Sequence, residues 1–177
     1  MRILLTNDDG IDARGICILE EVLSESHEVC VVAPCANRSG SSSSISMYSD
    51  QKLVKKSEKK FSLDGSPVDC VISALRGGYI PFVPEVVISG INNGANLGTD
   101  IIYSGTCGAA RQASLYGVPG LALSIDFSYG ECSFTGSLSG ESEKKDSAYR
   151  SLSYYVRDNM RSLLPLIPSP QASPREA

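Results

Sequence analysis

The chain has 177 residues, 42% of them hydrophobic, which is enough for one domain with a sizeable core. A net charge of −4 and an isoelectric point near 5.0 do not provide the basic surface needed to bind a nucleic-acid duplex. No apolar stretch is long enough to span a membrane, and no signal peptide precedes the first predicted strand, so we expect a cytoplasmic protein without membrane contact.

Hydrophobic spacing along the chain switches repeatedly between the period of strands and that of helices. In chain order, the sequence predicts strands at 2–6 and 28–33, two short strands at 51–54 and 60–63, and further strands at 85–89 and 121–125, with helices at 15–26, from Ser66 onward and at 106–116. Strands that alternate with helices predict right-handed crossovers and a mostly parallel sheet covered on both faces. The predicted fold class is therefore α/β, doubly wound in three layers.

The composition changes after residue 126. Residues 127–144 are rich in Gly and Ser, which predicts a flexible loop. Residues 145–164 carry apolar side chains at helical spacing, which predicts a helix packed on the core. The proline-rich residues 165–177 are expected to be disordered. The predicted organisation is thus a core at 1–126 followed by a loop, a helix and a tail.

Cysteine and histidine usage argues against a zinc site. The six cysteines form no C-x-x-C pair and show no zinc-like spacing, and His27 is the single histidine. Most of the thiols are expected to be small buried side chains, and His27 is expected to lie in a surface turn before the second strand. The lysines at 52–60 are predicted to lie on an edge hairpin, where they discourage pairing with other sheets.

Two adjacent carboxylates, Asp8 and Asp9, follow the first predicted strand between Asn7 and Gly10. This strand end lies where open α/β sheets bind ligands, and neighbouring carboxylates repel each other unless a cation lies between them. Gly10 permits the turn that both side chains need in order to reach one ion. The pair predicts a metal site, and the alternative is a solvated turn in which Asp9 or Asp12 caps the next helix.

Two further polar loops offer neutral oxygen ligands. Residues 38–44 follow the second strand and include Ser39, and residues 89–98 follow the strand at 85–89 and include Asn92. Hydroxyl and amide oxygens suit a hard cation. The alternatives are a flexible serine-rich loop and ordinary asparagine–glycine turns.

A fourth polar segment, residues 103–108, lies at the start of the alanine-rich helix. Hydroxyls, glycines and free N–H groups at a helix N-terminus form a phosphate-binding site, although a plain Ser104 N-cap would explain the same pattern. Taken together, the four segments predict a cation site beside a phosphate site, which suits metal-assisted phosphoryl chemistry.

Other phosphate-handling motifs are absent from the sequence. There is no G-x-x-x-x-G-K-[S/T] loop, and a D-x-D motif is interrupted because Gly10 follows Asp8 at that offset. A cysteine phosphatase needs C-x5-R, but the arginine position after Cys107 is occupied by Ala113. A phosphoacceptor receiver domain needs an aspartate and a lysine after later strands, and neither is in place.

At these four segments the sequence closely resembles the SurE family, the survival proteins that are metal-dependent 5′/3′-nucleotidases. The matching stretches run in family order within residues 1–126: ILLTNDDG at 3–10, VAP through NRSG at 32–40, GSPVDC at 65–70, VISGIN at 87–92, NLG at 96–98 and IYSGT at 102–106. Several independent motifs in one order are far more specific than any one of them.

The resemblance implies a Rossmann-like core, one divalent cation such as Mg²⁺ or Mn²⁺, and hydrolysis of nucleoside 5′- and 3′-monophosphates to nucleoside and phosphate. It implies that Asp8 and Asp9 are both catalytic and metal-binding. The other implied site residues are Ser39 and Asn92 on the metal, and Asn7, Gly40, Asn96, Ser104, Gly105 and Thr106 on the phosphate or substrate.

The resemblance is lost after Phe127. Members of the family continue with further strands and an extended arm that subunits exchange in dimers and tetramers. Here a serine-rich loop, a helix and a proline-rich tail follow, so we expect that a homodimer can form but that an arm-swapped tetramer cannot. Two alternatives to the phosphomonoesterase stay open: a nucleotide- or phosphate-binding protein with little turnover because the C-terminal part is missing, and a non-binding remnant whose motifs serve only as turns.

Overall fold

The computed structural model describes residues 1–127 and 138–166, with only the backbone described at 138–141. Six strands form one sheet: β1 Arg2–Thr6, β2 Glu28–Pro34, β3 Leu53–Ser57, β4 Lys60–Leu63, β5 Val86–Asn93 and β6 Gly120–Ile125. Their order across the sheet is β3-β4-β2-β1-β5-β6. All neighbouring strands are parallel except β3 and β4, which form an antiparallel hairpin at one edge.

Helices cover both faces of the sheet. They are α1 Arg14–Ser24, α2 Pro67–Arg76, α3 Asp100–Tyr103, α4 Gly105–Leu115 and α5 Leu138–Leu163, followed by a short 3-10 turn at Leu164–Leu166. The helices α1 and α5 pack on one face, and α2 and α4 pack on the other. The predicted doubly wound, three-layer α/β fold is confirmed. In the described part of the chain, no helix is both long and apolar enough to cross a membrane.

The central strand β1 shows why the sheet is buried on both faces. Ile3 and Leu5 join the cluster under α1 and α5, whereas Leu4 joins the cluster under α2 and α4, and all three are fully buried. Successive side chains of a strand point to opposite faces, so a strand covered on both faces has a continuous apolar run. This apolar run stops at the carboxyl end of β1, where the polar residues Asn7, Asp8 and Asp9 follow.

The N-cap of α2 is Ser66, where the sequence predicts the helix to start, and its first turn is capped by side chains. The Ser66 hydroxyl accepts a hydrogen bond from the Asp69 N–H at 3.0 Å, and the Asp69 carboxylate accepts one from the Ser66 N–H at 2.9 Å. With Pro67 in the first turn, these bonds form a complete capping box.

The prediction of a loop that extends to residue 144 is wrong for its last part, because α5 already begins at Leu138. The Gly and Ser content dominated that prediction, whereas the acidic and lysine residues at 141–145 favour a helix. The tail was predicted to begin at residue 165, but the 3-10 turn continues to Leu166. Leu164, at the start of this turn, packs against the core. Residues 128–137 of the predicted loop and 167–177 of the predicted tail lie outside the described residues.

The strand β5 runs to Asn93, four residues beyond its predicted end. Its pairing with β6 shifts register between Ser89 and Asn92. Asn92 and Asn93 therefore belong to the strand and lie at its carboxyl end, whereas Asn96 follows it. The short helix α3 was not predicted, because four residues without a buried side chain leave no hydrophobic period to detect.

The lysines and the histidine lie where the sequence predicts, but only two of the five described cysteines are buried, fewer than expected. Cys30 and Cys70 are buried, Cys17 and Cys107 are half-buried, and Cys35 is exposed. The lysines lie along the predicted edge hairpin, with ion pairs from Lys59 to Glu28 at 3.0 Å and from Lys60 to Glu20 at 2.6 Å. His27 lies in the turn between α1 and β2, far from the acidic pair.

Candidate metal and phosphate site

The candidate site lies at the topological switch point of the sheet. The chain leaves β1 through α1 on one face to reach β2, and it enters β5 from α2 on the other face. The carboxyl ends of β1 and β5 are neighbours, and the crevice between such ends is where doubly wound folds bind ligands.

Asn7 shapes the turn that carries the two carboxylates. Its side chain is fully buried, and its Nδ2 donates to the Gly10 carbonyl at 2.8 Å while its Oδ1 accepts from the Gly10 N–H at 3.2 Å. Gly10 has a φ of +104°, and a Cβ there would lie 3.2 Å from the Ala36 backbone. These bonds give Asn7 a structural role in the turn, and its contact with substrate stays a prediction.

Asp8 is held firmly against the N-terminus of α4. Its side chain is buried, and it accepts a hydrogen bond from the Thr106 hydroxyl at 2.7 Å and a second from the Thr106 N–H at 3.3 Å. Gly105 makes this approach feasible, since a Cβ there would lie 3.0 Å from the Asp8 Cβ. The helix N-terminus favours the negative charge of this carboxylate. Thr106 is itself fully buried and its hydroxyl faces Asp8, and its contact with a phosphate stays a prediction.

Asp9 has a different environment from its neighbour. It is half-buried and accepts one hydrogen bond from the Asn93 N–H at 3.3 Å. Burial raises the pKa of the Asp9 carboxyl, the Asn93 N–H acts in the opposite direction, and the charge of Asp8 raises it further. Asp9 lines a cavity of about 270 Å³ together with Arg14 and Tyr149, and this cavity is distinct from the one beside Asp8. The two carboxylates are adjacent in sequence but line different cavities.

The cavity beside Asp8 gathers most of the predicted ligands. It has a volume of about 310 Å³. The predicted residues that line it are Asp8, Ser39, Gly40, Asn92, Asn96 and Ser104. The remaining predicted residues, Asn7, Asp9, Gly105 and Thr106, do not line this cavity.

Hydrogen bonds orient the two predicted asparagines. The Asn92 Nδ2 donates to the Gly94 carbonyl at 2.9 Å, which leaves its carbonyl oxygen as the end suited to a cation. The Asn96 Nδ2 donates to the Ser124 hydroxyl at 2.7 Å. Ser104 caps α4 by accepting from the Cys107 N–H at 3.1 Å, so its hydroxyl proton remains for a ligand. These groups are neutral oxygens and donors in fixed positions.

The charge of this cavity indicates what it can bind. Of the described residues that line it, two are aspartates, Asp8 and Asp100, and none is Lys, Arg or His. A phosphate would therefore be repelled there unless a cation accompanied it. No three His, Cys, Asp or Glu side chains within the described ranges converge as a metal site, so the donor set consists of one or two carboxylates with amide and hydroxyl oxygens. Such hard oxygen ligands suit Mg²⁺ or Mn²⁺ and not zinc.

Sequence reasoning missed three residues whose polar side chains line the same cavity, namely Asn93, Asp100 and Tyr103. Asn93 and Tyr103 stand in segments that had been singled out, but no sequence pattern shows which way their side chains point. Asp100 begins α3, which was not predicted. Their contribution becomes visible only with the arrangement of the loops.

Comparisons with known proteins agree with this geometry. The family model described as "Survival protein SurE" matches residues 3–164, so the expectation that the resemblance is lost after Phe127 is wrong. A relative from Burkholderia lata named 5′-nucleotidase SurE 1 is 45% identical over 127 residues, covering 71% of this chain and 49% of the relative. A 5′-nucleotidase SurE from Stenotrophomonas maltophilia (strain K279a) is 49% identical over 126 residues, covering 71% and 48%.

A solved structure shows the same architecture. The crystal structure of the SurE protein from Aquifex aeolicus matches with a TM-score of 0.76 and 32% sequence identity, over 93% of this chain and 60% of that chain. The present chain thus spans about half the length of the curated relatives it matches.

Proposed function

The chain belongs to the SurE family of survival proteins, and from that premise we propose that it is a metal-dependent phosphomonoesterase acting on nucleoside 5′- and 3′-monophosphates. The observation that carries the proposal is the cavity at the carboxyl ends of β1 and β5. It combines a fixed carboxylate, amide and hydroxyl oxygens and a helix N-terminus, yet none of its described lining residues is cationic. A phosphate ester needs a cation in such a site, and the oxygen ligands for one are present.

The residues that would hold the cation are Asp8, Ser39 and Asn92, with Asp9 beside them. When bound, a divalent ion such as Mg²⁺ or Mn²⁺ polarises phosphoryl oxygens and lowers the pKa of a coordinated water. The chain's own part is to fix these ligands: Thr106 holds the Asp8 carboxylate, and the bond from Asn92 to Gly94 turns the amide oxygen outward.

The phosphate would lie on the α4 side of the cavity. Ser104 offers its hydroxyl there, and the first N–H groups of α4 supply a partial positive charge. Gly40 has a φ of +76° with no atom within 4 Å of an added Cβ, so its backbone is open to a ligand. These groups would bind and orient the ester, and the name 5′-nucleotidase that the relatives carry supports a 5′-nucleotide as the substrate.

The test is phosphate release from a panel of nucleoside 5′- and 3′-monophosphates, with Mn²⁺ and with a chelator. We expect turnover with Mn²⁺ and none with the chelator. We expect Asp8→Asn to lower kcat/KM by about 100-fold or more, because several kcal/mol of charge stabilisation depend on the metal ligands. Asp12→Asn is the matched control, since it removes one exposed carboxylate from the same turn.

Two results would contradict the proposal. Asp8→Asn with near-normal turnover would show that the cavity beside Asp8 is not the reaction site. Nucleotide binding without any phosphate release by the unaltered chain would favour the binding-protein alternative instead.

A further inference from the structure

The short helix α3 exposes apolar side chains beside the candidate cavity. None of its four residues is buried, and Ile102 and Tyr103 are 61% and 64% exposed. A helix that buries nothing contributes little to the core. Exposed apolar side chains next to a polar cavity are a common feature of ligand sites.

The backbone of α3 is nevertheless held in place from both sides. The Ser42 N–H donates to the Tyr103 carbonyl at 2.9 Å, and the Ser42 hydroxyl donates to the Ile102 carbonyl at 2.7 Å. The Ser104 N–H donates to the Asp100 carbonyl at 2.9 Å and joins α3 directly to the cap of α4. The Tyr103 ring is therefore carried on a fixed support, one residue before the predicted phosphate ligand Ser104.

Tyr103 also lines the cavity, whereas its neighbours Ile101 and Ile102 do not. It is the single aromatic side chain among the described residues that line this cavity. The same cavity is also lined by the charged side chain of Asp8. The volume of about 310 Å³ exceeds what a phosphate group needs and falls within the roughly 300–1000 Å³ of pockets that hold whole small ligands.

We propose that Tyr103 is the surface on which the nucleobase of the substrate stacks; this deepens the proposed function and rests on it. A nucleoside monophosphate has an anionic end and a flat aromatic end, and the cavity offers a cation site with Ser104 for the first and the Tyr103 ring for the second. Every base has a π-face, so stacking binds bases without reading their hydrogen-bonding edges. Tyr103 then increases affinity for nucleotides over other phosphate esters and discriminates little among bases.

The experiment compares adenosine 5′-monophosphate with ribose 5-phosphate, which carries the same phosphate ester but no base. Tyr103→Ala is expected to lower kcat/KM for the nucleotide by roughly 5- to 100-fold, mainly through KM, as loss of one base–aromatic stack does. Its kcat/KM for ribose 5-phosphate should stay within about twofold of the unaltered chain, because that ester has no base to stack on the Tyr103 ring. Tyr103→Phe keeps the stacking face and should behave normally, and Ile102→Ala is the control for loss of a neighbouring exposed side chain.

The outcomes separate this inference from the proposed function. Equal losses on both esters, or no loss on the nucleotide, would overturn the stacking role. If the unaltered chain cleaves neither ester, the proposed function fails, and calorimetric titration of the same variants with both compounds then decides the inference. Selective weakening of adenosine 5′-monophosphate binding by Tyr103→Ala would still support it, and unchanged binding would overturn it.

Discussion

The two adjacent carboxylates, Asp8 and Asp9, differ in how firmly their side chains are held. Asp8 receives two hydrogen bonds from Thr106 and is buried, so its position is determined before any ligand arrives. Asp9 receives one longer bond from Asn93 and lines a separate cavity. The acidic pair thus consists of one carboxylate in a fixed position and one that is held more weakly.

Asp9→Asn should stabilise the metal-free protein at neutral pH. Burial raises the pKa of Asp9 in the folded state above its value in the unfolded chain. The contribution of such a group to stability is complete below the unfolded pKa and is lost as pH rises through the folded pKa. We therefore expect a higher melting temperature for Asp9→Asn than for the unaltered chain at pH 7 in chelator, with a smaller difference near pH 4. Asp12→Asn is the control, and a lower melting temperature at pH 7 would contradict the burial argument.

Thr106→Val should weaken Mn²⁺ binding and destabilise the fold. Valine has nearly the same shape but cannot donate to Asp8, and loss of a hydrogen bond to a charged group costs about 1.5–3 kcal/mol. Thr106→Ser keeps the donor and should bind Mn²⁺ normally. Calorimetric titration and denaturant unfolding measure the two effects. Normal Mn²⁺ affinity in Thr106→Val, together with weak phosphate binding, would instead support the placement that the sequence predicted.

At the scale of elements, the serine-rich loop is anchored to two helices. Asp69 in the capping box of α2 accepts from the Ser46 N–H at 2.9 Å and from the Ser46 hydroxyl at 2.8 Å. The Ser66 hydroxyl donates to the Ser44 carbonyl at 2.6 Å. On the other side, a Cβ at Gly108 of α4 would lie 2.5 Å from the Ser42 carbonyl oxygen. The loop that carries Ser39 and Gly40 is thus held by helix ends, although its composition favours flexibility.

Asp69→Asn should show a stability loss that depends on pH. Burial by itself would raise the pKa of Asp69, but hydrogen bonds from Ser46 and Ser66 lower it to below its ordinary value. A carboxylate with a lowered pKa stabilises the fold above its unfolded pKa, and this stabilisation is lost as pH falls through the folded pKa. We expect Asp69→Asn to cost about 1 kcal/mol at pH 7, typical of a damaged cap, and to cost progressively less in acid.

Urea unfolding at several pH values measures this effect. Asp50→Asn is the control, because it removes an exposed carboxylate from the same loop region. A penalty that stayed constant down to pH 2 would mean that the charge of Asp69 contributes nothing to the cap.

For the whole molecule, α5 completes the core beside α1. Tyr149, Val156 and Met160 are buried against the sheet side that α1 covers. Ion pairs also join the two helices at their rims, from Arg14 to Asp146, from Arg150 to Glu21 and from Arg157 to Glu25. These pairs are largely exposed, so the apolar contacts are expected to provide most of the stability.

Met160→Ala should therefore destabilise the protein by about 2–5 kcal/mol, as truncation of a buried side chain does. Arg150→Ala, on the same helix, should cost less than about 1 kcal/mol. Chemical denaturation of both variants measures the difference. Equal small losses would show that α5 does not pack on the core as described.

The expected assembly stays a prediction at this scale. Light scattering coupled to size exclusion, at several protein concentrations, distinguishes a homodimer from a tetramer.

The chain's local patterns determined the α/β class, the order of most elements and the positions of the four polar segments. Strand and helix periods, caps and turn residues act over a few neighbouring residues, so they are visible without the fold. The same reasoning failed at α3 and at the start of α5, because four exposed residues have no period and a glycine-rich composition masked a helix.

Only the tertiary structure decided which side chains of those segments face one another. Asp8 and Thr106 are 98 positions apart in sequence, and their contact depends on how α4 returns to the end of β1. The separation of Asp8 and Asp9 into different cavities, the turn role of Asn7 and the exposure of Tyr103 likewise depend on side-chain direction and on the packing of distant elements. The sequence by itself determined which chemical groups the site contains, and the packing of helices on both faces of the sheet decided where each group points, because no local preference specifies a contact between remote parts of a chain.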